Sequence, residues 1–188
     1  MENGSDVLLL LSGGIDSTAC LDLYLSDNRT VDALFIDYGQ LSNDHEFLCA
    51  LKIAKHYKIE INKIKIDLLN KYKDGEILGR NALLIFTALM HDQGKHHILS
   101  LGIHKGPDYY DCSHSFVNQI NEIIINYSIG TIMLETPFLE CEKKFIIEYC
   151  SKNKVPLHLT YSCENGYPPC NCCESCRDRK RYDVEERF

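Results

Sequence analysis

The chain reads Leu8-Leu9-Leu10-Leu11-Ser12-Gly13-Gly14-Ile15-Asp16-Ser17-Thr18 near its start, and this stretch decides the fold. A run of leucines is typical of a parallel strand that is buried on both faces. The Ser-Gly-Gly triplet predicts a tight turn, and a helix is predicted to begin near Asp16. Strand, turn and helix in that order predict the first unit of an α/β fold.

A turn of this kind is suited to binding phosphate. Gly13 and Gly14 lack a Cβ atom, so their backbone N–H groups can approach phosphate oxygens closely. The N-terminus of the following helix adds unpaired N–H donors and a partial positive charge. Ser12, Ser17 and Thr18 add hydroxyl donors. The stretch therefore predicts an anion site.

The alternative is an ordinary strand-to-helix connection in which Asp16 and Ser17 serve only as a helix cap. The loop is not of the Walker A type, because no Gly-Lys-Ser or Gly-Lys-Thr follows the glycines. The complete pattern Ser-Gly-Gly-x-Asp-Ser-Thr after a strand favours phosphate binding over a plain turn.

The composition predicts one globular domain with a sizeable core. The chain has 188 residues, 45% of them hydrophobic, and a formal net charge of −7, which argues against non-specific nucleic-acid binding. No apolar run approaches the roughly 20 residues of a membrane span. Residues 1–6 lack the basic segment of a signal peptide. We expect no membrane association and no direct nucleic-acid binding.

Ten cysteines are present, but the chain is longer and richer in core residues than a disulfide scaffold. Six of them are scattered, mostly through apolar segments, and are predicted to be reduced: Cys20, Cys49, Cys112, Cys141, Cys150 and Cys172. This usage predicts a reducing cytoplasm as the location.

Strands and helices are predicted to alternate along the chain. Predicted strands cover residues 8–11, 31–37, 59–66, 97–102 and 131–134, and predicted helices cover 16–25, 43–57, 82–90, 114–128 and 140–152. This alternation predicts an α/β fold with one Rossmann-like, doubly wound parallel sheet, in which ligands bind beyond the carboxyl ends of the strands.

Polar residues follow the predicted strands or open the predicted helices. Asp37, Tyr38 and Gln40 come at the end of the second strand, where a nucleotide is expected. Arg80 and Asn81 open an apolar helix, and arginine is a planar, always-charged phosphate ligand. The alternatives are a solvated turn and a surface arginine.

Lys143 is predicted in the first turn of the helix over residues 140–152. A cation at a helix N-terminus is mildly unfavourable, and a bound anion would resolve that conflict. The alternative is an exposed lysine with a small energetic cost.

The loop over residues 103–112, which holds His104, Tyr110 and Asp111, follows the fourth strand. Its mixture of ionisable and aromatic side chains suits recognition of a flat, polar heterocycle. The alternative is a flexible surface loop.

A cysteine-rich stretch near the end of the chain has the spacing of a metal site. Cys170, Cys173 and Cys176 are separated by two residues each, and Cys163 can complete a tetrahedron of thiolates. The pattern favours structural zinc, while Cys172 as a fifth candidate leaves iron–sulfur ligation and disulfides as alternatives.

The charged tail over residues 177–187 is predicted to be helical. Its cations, Arg177, Arg179, Lys180 and Arg181, form either a solvated face or a contact for an anionic partner.

The glycine loop resembles the pyrophosphate loop of the N-type ATP pyrophosphatases, which cut ATP into AMP and pyrophosphate. Taken together, the motifs resemble the 7-cyano-7-deazaguanine synthases of queuosine biosynthesis over nearly the whole chain. The matching pieces are Ser12-Gly13-Gly14 with Asp16-Ser17-Thr18, Asp37-Tyr38-Gly39-Gln40, Gly79-Arg80-Asn81, Tyr110-Asp111-Cys112, Glu135-Thr136-Pro137, Lys143, and Thr160-Tyr161-Ser162-Cys163 through Cys176.

The resemblance implies a carbon–nitrogen ligase that adenylates the carboxylate of 7-carboxy-7-deazaguanine with ATP and Mg²⁺. Ammonia then gives an amide, and a second activation dehydrates the amide to the nitrile. It also implies Zn²⁺ on the four cysteines and a homodimer.

The motifs and the resemblance together predict a role for each candidate site residue. Catalytic roles go to Ser12, Asp16, Ser17, Arg80 and Lys143. Nucleotide contacts go to Leu11, Ser12, Gly13, Gly14, Asp16, Ser17, Thr18, Asp37, Tyr38, Gln40, Arg80, Asn81 and Lys143. Substrate contacts go to Tyr110, Asp111, Glu135 and Thr136, and the metal ligands are Cys163, Cys170, Cys173 and Cys176.

The acceptor half departs from the family pattern. The connector between Leu69 and Gly79 is shorter than the family's. The loop from Gly102 to Asp111 lacks the family's Glu-Thr-Asp-Phe-Ser-Gly-Tyr-Pro, and Ser113 and Ser115 stand where the family has an arginine and a glutamate. We therefore expect an open mouth and an amide, free or protein-linked, as a major product with little nitrile.

Two alternative hypotheses are also enzymes related to this family or to the ATP pyrophosphatases. One is an antiviral-defence relative that joins the deazaguanine acid to a protein amine. Another is a pyrophosphatase that modifies tRNA, which the acidic charge disfavours. A non-catalytic, zinc-stapled nucleotide-binding module is the alternative of a different class. The expected organisation is a nucleotide-binding domain over 1–159 and a zinc-binding segment over 160–188.

Overall fold

The computed structural model describes residues 6–67 and 75–184. Within these residues, five parallel strands form one sheet with the order β3-β2-β1-β4-β5. The strands are β1 Val7–Leu10, β2 Val31–Asp37, β3 Ile61–Lys65, β4 Ile98–Leu101 and β5 Met133–Glu135. The predicted α/β class and the parallel sheet are confirmed.

Helices connect the strands and cover both faces of the sheet. The helices are α1 Ile15–Ser26, α2 Asn43–Tyr57, α3 Arg80–Asp92, α4 His114–Ser128, α5 Lys143–Asn153 and α6 Glu174–Arg181. Short 3-10 turns lie at Tyr110–Cys112 and Leu157–Leu159. Among the described residues, no helix combines the length and apolarity needed to cross a bilayer.

The alternating side chains of β1 divide the core into two layers. Val7 and Leu9 pack into the layer under α1, α2 and α5, which contains Phe35 and Ile146. Leu8 and Leu10 pack into the opposite layer under α3 and α4. All four β1 residues are buried, which explains why the strand is a continuous apolar run.

The strand order reverses between β1 and β4, because β1 connects through β2 to β3 on one side while β4 and β5 lie on the other. Such a reversal opens a crevice at the carboxyl ends of the strands, where ligands bind in sheets of this kind. The predicted phosphate loop leaves β1 at this point. The fold therefore places the glycine turn directly at the crevice.

Several predicted boundaries were wrong by a few residues. β5 begins at Met133, because Ser128 Oγ accepts from the Ile132 N–H and Thr131 Oγ1 donates to the Ser128 carbonyl, which hold the preceding residues in a turn. Helix α5 begins at Lys143 after an extended Glu142, not at residue 140.

The prediction that Arg179 belongs to a solvated or partner-binding face was wrong. Its residue exposure is 5%, and its Nη1 donates to Thr160 Oγ1 and Ser162 Oγ, each at 2.9 Å. The guanidinium therefore ties α6 to the segment that precedes the cysteines. Arg181, two residues further on, is exposed.

Candidate functional site

The phosphate loop, residues 11–18, has a backbone shape that depends on glycine. Gly13 has a φ of +82°, and a Cβ atom at this position would lie 2.4 Å from the Glu46 carbonyl oxygen. The loop is braced by Thr18 Oγ1, which donates to the Gly14 carbonyl at 2.7 Å. The hydroxyls of Ser12 and Ser17 lie 3.1 Å apart. The turn is thus fixed before any ligand enters.

Asp16 and Lys143 form an ion pair beside this loop. Lys143 Nζ donates to both carboxylate oxygens of Asp16, at 2.7 and 2.9 Å. The side chains are 21% and 16% exposed, so the pair is partly shielded from solvent. The predicted conflict of a lysine at the start of α5 is therefore met by a carboxylate in this structure, and the pair places one charge of each sign at the loop.

A cavity of about 670 Å³ opens over the loop at the carboxyl ends of β1, β2 and β4. Ten of the predicted nucleotide residues line it: Leu11, Ser12, Gly14, Asp16, Ser17, Tyr38, Gln40, Arg80, Asn81 and Lys143. The structure therefore brings together residues that lie more than a hundred positions apart in the sequence.

Three predicted nucleotide residues support the wall without lining the cavity. Gly13 packs against α2, and Thr18 is fully buried in α1. Asp37 accepts from the Gly39 N–H at 3.2 Å and pairs with Lys63 at 3.3 Å. Asp37 thus fixes the turn that carries Tyr38 and Gln40.

A hydrogen-bond network lies on the side of the cavity that contains Tyr38. Gln40 accepts from the Tyr38 N–H and donates to Glu46, each at 3.0 Å. Glu46 also accepts from Ser42 Oγ at 2.6 Å. Burial raises the pKa of Glu46, and burial, opposed by the Arg80 charge, raises the pKa of Tyr38 to about 12. The Tyr38 phenol is therefore a hydrogen-bond donor at neutral pH.

Arg80 stands on the cavity wall at the start of α3. The Asn81 N–H donates to Asp111 Oδ2 at 3.3 Å, and Asn81 Nδ2 donates to the Asp111 carbonyl at 3.2 Å. Asp111 is buried by these contacts and supports the wall from behind. The neighbouring Cys112 faces the cavity, and burial raises the pKa of its thiol to about 11, so it is protonated at neutral pH.

The structure does not bring the other predicted substrate residues into this cavity. Tyr110 is 56% exposed and donates to Gln119. Glu135 and Thr136 line a separate cavity of about 490 Å³. Glu135 is engaged there, because it accepts from Tyr24 Oη at 2.9 Å and pairs with Arg29 at 3.7 Å.

The four predicted metal ligands do come together. The Sγ atoms of Cys163, Cys170, Cys173 and Cys176 all lie within 4.8 Å of one another. Backbone N–H groups donate to two of these sulfurs, from residue 170 to Cys163 and from residue 173 to Cys170, each at 3.3 Å. Such donors stabilise thiolates, and the close spacing suits a single tetrahedral ion.

The acidities of these thiols differ within the cluster. Hydrogen bonds from Asn165 and nearby backbone lower the pKa of Cys170 to about 5. Burial and neighbouring thiols raise the pKa of Cys176. Four thiolates this close need a cation between them, so the donor set fits a metal ion.

The cysteine segment, residues 160–184, is attached to the phosphate loop through Tyr161. The Tyr161 N–H donates to the Gly13 carbonyl at 2.9 Å, and its side chain is 1% exposed against the cysteine cluster. Ser162 and Glu164 then line the cavity. The cysteine cluster therefore lies behind one wall of the cavity.

Comparison with known proteins gives the family. The model of the queuosine biosynthesis protein QueC matches residues 6–79 and 72–183 of this chain. The chain belongs to the QueC family. Relatives named 7-cyano-7-deazaguanine synthase are 31% identical in Prochlorococcus marinus strain MIT 9515, over 96% of this chain and 93% of the relative, and 28% identical in Campylobacter jejuni, over 93% and 91%.

The QueC family is one of ATP-dependent, ligase-type enzymes, and this chain shares its enzymatic class. Solved structures with a similar fold include the U34-tRNA thiolase NcsA from Methanococcus maripaludis with its [4Fe-4S] cluster, at a TM-score of 0.55 and 15% identity over 97% of this chain and 66% of that chain. The NMN synthetase from Francisella tularensis has a TM-score of 0.54 and 14% identity over 98% and 80%. These likenesses confirm the predicted α/β fold with a parallel sheet.

Some cavity residues of this QueC-family chain were missed from the sequence. A Cβ at Gly102, at the end of β4, would lie 2.7 Å from the Ser17 backbone nitrogen, so glycine is required under the phosphate loop. A glycine directly after a strand was the available signal. Glu46 and Glu164 also line the cavity, and their positions in a helix and a loop gave no signal.

Proposed function

We propose that this chain is a 7-cyano-7-deazaguanine synthase-type ligase that adenylates the carboxylate of 7-carboxy-7-deazaguanine. An amine then attacks the acyl-adenylate to give the amide, and a second activation converts the amide to the nitrile. The observation that carries the proposal is the preformed phosphate loop, with the Asp16–Lys143 pair beside it, at the crevice of a chain that matches the family over most of its length.

The phosphate loop supplies the site for the nucleotide. Gly14 and the first residues of α1 line the cavity, and a helix N-terminus of this kind suits the phosphates of ATP. Lys143 and Arg80 both line the cavity and would offset the negative charge that develops on the leaving pyrophosphate. Mg²⁺ would enter with ATP as the counter-ion of the phosphates.

The other side of the cavity suits a deazaguanine. The ring N–H groups of such a base need acceptors, and the carboxylates of Glu46 and Glu164 line the cavity. Tyr38 and Tyr109 add aromatic surface. These four residues replace Tyr110, Asp111, Glu135 and Thr136 as the proposed substrate wall, because the latter do not line this cavity.

The cysteine cluster is proposed to hold one Zn²⁺ with a structural role. Four thiolates leave no open coordination position, so the ion would fix the cysteine segment behind the cavity wall. Ammonia as the amine and a homodimeric assembly are further parts of the proposal, supported by the family resemblance.

The expectation that the amide accumulates depends on the connector up to Leu78. Residues 70–74 of that connector lie outside the described residues, so this expectation stays a prediction. The same holds for a protein amine as the acceptor.

The proposal is tested by incubating the protein with ATP, Mg²⁺, ammonium and 7-carboxy-7-deazaguanine and measuring product masses. We expect AMP, pyrophosphate, the amide and the nitrile, all dependent on the acid. The ratio of amide to nitrile tests the role of the connector, and a mass increment on an added protein would show protein linkage. Release of ADP and phosphate, or no turnover, would contradict the proposal.

A further inference from the structure

His104 lines the cavity next to the Asp16–Lys143 pair. It follows the end of β4, and its side chain is 12% exposed. Its Nε2 atom lies 3.8 Å from Asp16 Oδ2. Because Asp16 is paired with Lys143 beside the phosphate loop, the imidazole is adjacent to the place where the phosphates would bind.

The loop around His104 holds the ring in position. A Cβ atom at Gly106 would lie 2.6 Å from Cε1 and 3.0 Å from Nδ1 of His104, so a side chain at residue 106 would displace the ring. The Lys105 N–H donates to the Cys141 carbonyl at 3.0 Å, which ties the loop to the segment leading into α5. The ring is therefore placed relative to both α1 and α5.

The imidazole of His104 has ring nitrogens that are available for hydrogen bonding to a ligand. Nδ1 of His104 is buried and has no hydrogen-bond partner within the described residues 6–67 and 75–184. The 3.8 Å between Nε2 and the Asp16 carboxylate is too long for a hydrogen bond. With the proton on Nδ1, the lone pair of Nε2 is open to a proton from a ligand.

Three carboxylates that line the same cavity already have partners in this structure. Asp16 is paired with Lys143 through both of its oxygens. Glu46 accepts two hydrogen bonds from neighbouring side chains, and Glu164 accepts one from Ser175 and one from a backbone N–H. Among residues 6–67 and 75–184, neither nitrogen of the His104 imidazole has such a hydrogen bond.

The geometry points to His104 as the general base for attack by the amine, an inference that rests on the proposed function. The amine nitrogen forms a bond to the acyl carbon, the bond from that carbon to the adenylate oxygen breaks, and AMP leaves with the electron pair. The nitrogen then carries one excess proton. Nε2 of His104 accepts this proton and later releases it to solvent, so the products are amide, AMP and a proton.

The test separates the two half-reactions in full-length His104→Ala. Acid-dependent exchange of labelled pyrophosphate into ATP, with no amine present, reports adenylation alone. Single-turnover amide formation with ammonium reports the second step. We expect exchange within about twofold of wild type and amide formation slowed by about 100-fold, because that is the usual contribution of a general base. Free imidazole should restore part of the second rate.

His91→Ala is the matched control, since His91 is exposed in the last turn of α3, away from the cavity. An equal loss of exchange and amide formation in His104→Ala would overturn the inference, because it would indicate a role in nucleotide binding or folding. Unchanged amide formation would also overturn it. If wild-type protein shows no acid-dependent exchange, the proposed function itself fails and the inference with it.

Discussion

The phosphate loop and the cysteine segment form neighbouring walls of one cavity, but they are held by different forces. The loop lies between β1, whose residues are buried, and α1, which is buried along most of its length. The cysteine segment has a single short helix, and its thiol cluster, Arg179 and Glu164 hold it through polar contacts.

This difference determines how each wall responds to change. Hydrophobic burial fixes the loop whether or not a ligand is present, because the sheet and helices form its foundation. The cysteine segment depends on ligands and charges, which are sensitive to metal and to single polar substitutions. One wall of the cavity is therefore expected to be robust, and the other is expected to depend on metal.

The largest expected effect is on catalysis at the phosphate loop. Lys143→Met removes the cation beside Asp16, and we expect pyrophosphate release to fall about 100- to 1000-fold, the usual cost of losing a preorganised charge. Lys144→Met is the control, because Lys144 is exposed and pairs with Glu148. Equal activity in the two variants, measured by pyrophosphate release, would show that the pair has no catalytic role.

The next effect tests whether packing fixes the loop. Gly13→Ala and Gly94→Ala both place alanine at a φ near +80°, at a shared cost of about 1–2 kcal/mol. Only the Gly13 variant also forces a Cβ against the Glu46 carbonyl, while nothing lies within 4 Å at Gly94. We expect Gly13→Ala to lose about 1–3 kcal/mol more in urea unfolding. Equal losses would mean that the loop yields easily.

A smaller loss is expected when the cysteine segment loses a metal ligand. In Cys173→Ser, zinc content should fall well below one per chain and stability by about 2 kcal/mol, which corresponds to a decrease in Tm of about 4–8 °C. Cys172→Ser is the control, because Cys172 is exposed and lies outside the four-sulfur set. Elemental analysis that finds iron, or no metal, in freshly purified wild-type protein would refute the zinc assignment.

The smallest effect distinguishes the two cavities. Glu135→Gln should leave the KM for the deazaguanine acid within about twofold and cost about 1 kcal/mol of stability through the Tyr24 contact. Glu164→Gln, in the cysteine segment, should raise that KM about tenfold, because a charged acceptor is lost from the main cavity. The reverse result in steady-state kinetics would restore Glu135 as a substrate residue.

The sequence predicted the phosphate loop and the thiol cluster, but it did not predict the buried contacts of Arg179 or the place of Glu164 at the cavity. Local sequence patterns were sufficient to predict the loop. Leu8 to Leu11 alternate between two core layers, and Gly13 has the positive φ that the turn requires. The cysteine spacing likewise predicted the thiol cluster, since the ligands lie close together along the chain.

The sequence did not predict the position of side chains whose partners lie far away along the chain. Glu135 is the last residue of β5, close to the edge of the sheet where the phosphate loop begins, but its contacts with Tyr24 and Arg29 place it in another cavity. Arg179 belongs to a charged run, and only the fold shows that Thr160 and Ser162 surround it. In both cases a partner remote in sequence determines where the side chain points.

The hydrogen bond from Tyr161 to Gly13 joins two segments that are synthesised at different times. The phosphate loop is synthesised before Glu164, Asp178 and Tyr182, which also line the cavity. A nascent chain that has not yet released these residues cannot enclose the cavity, even when its sheet has formed. The cavity can therefore be completed only after synthesis has passed residue 182.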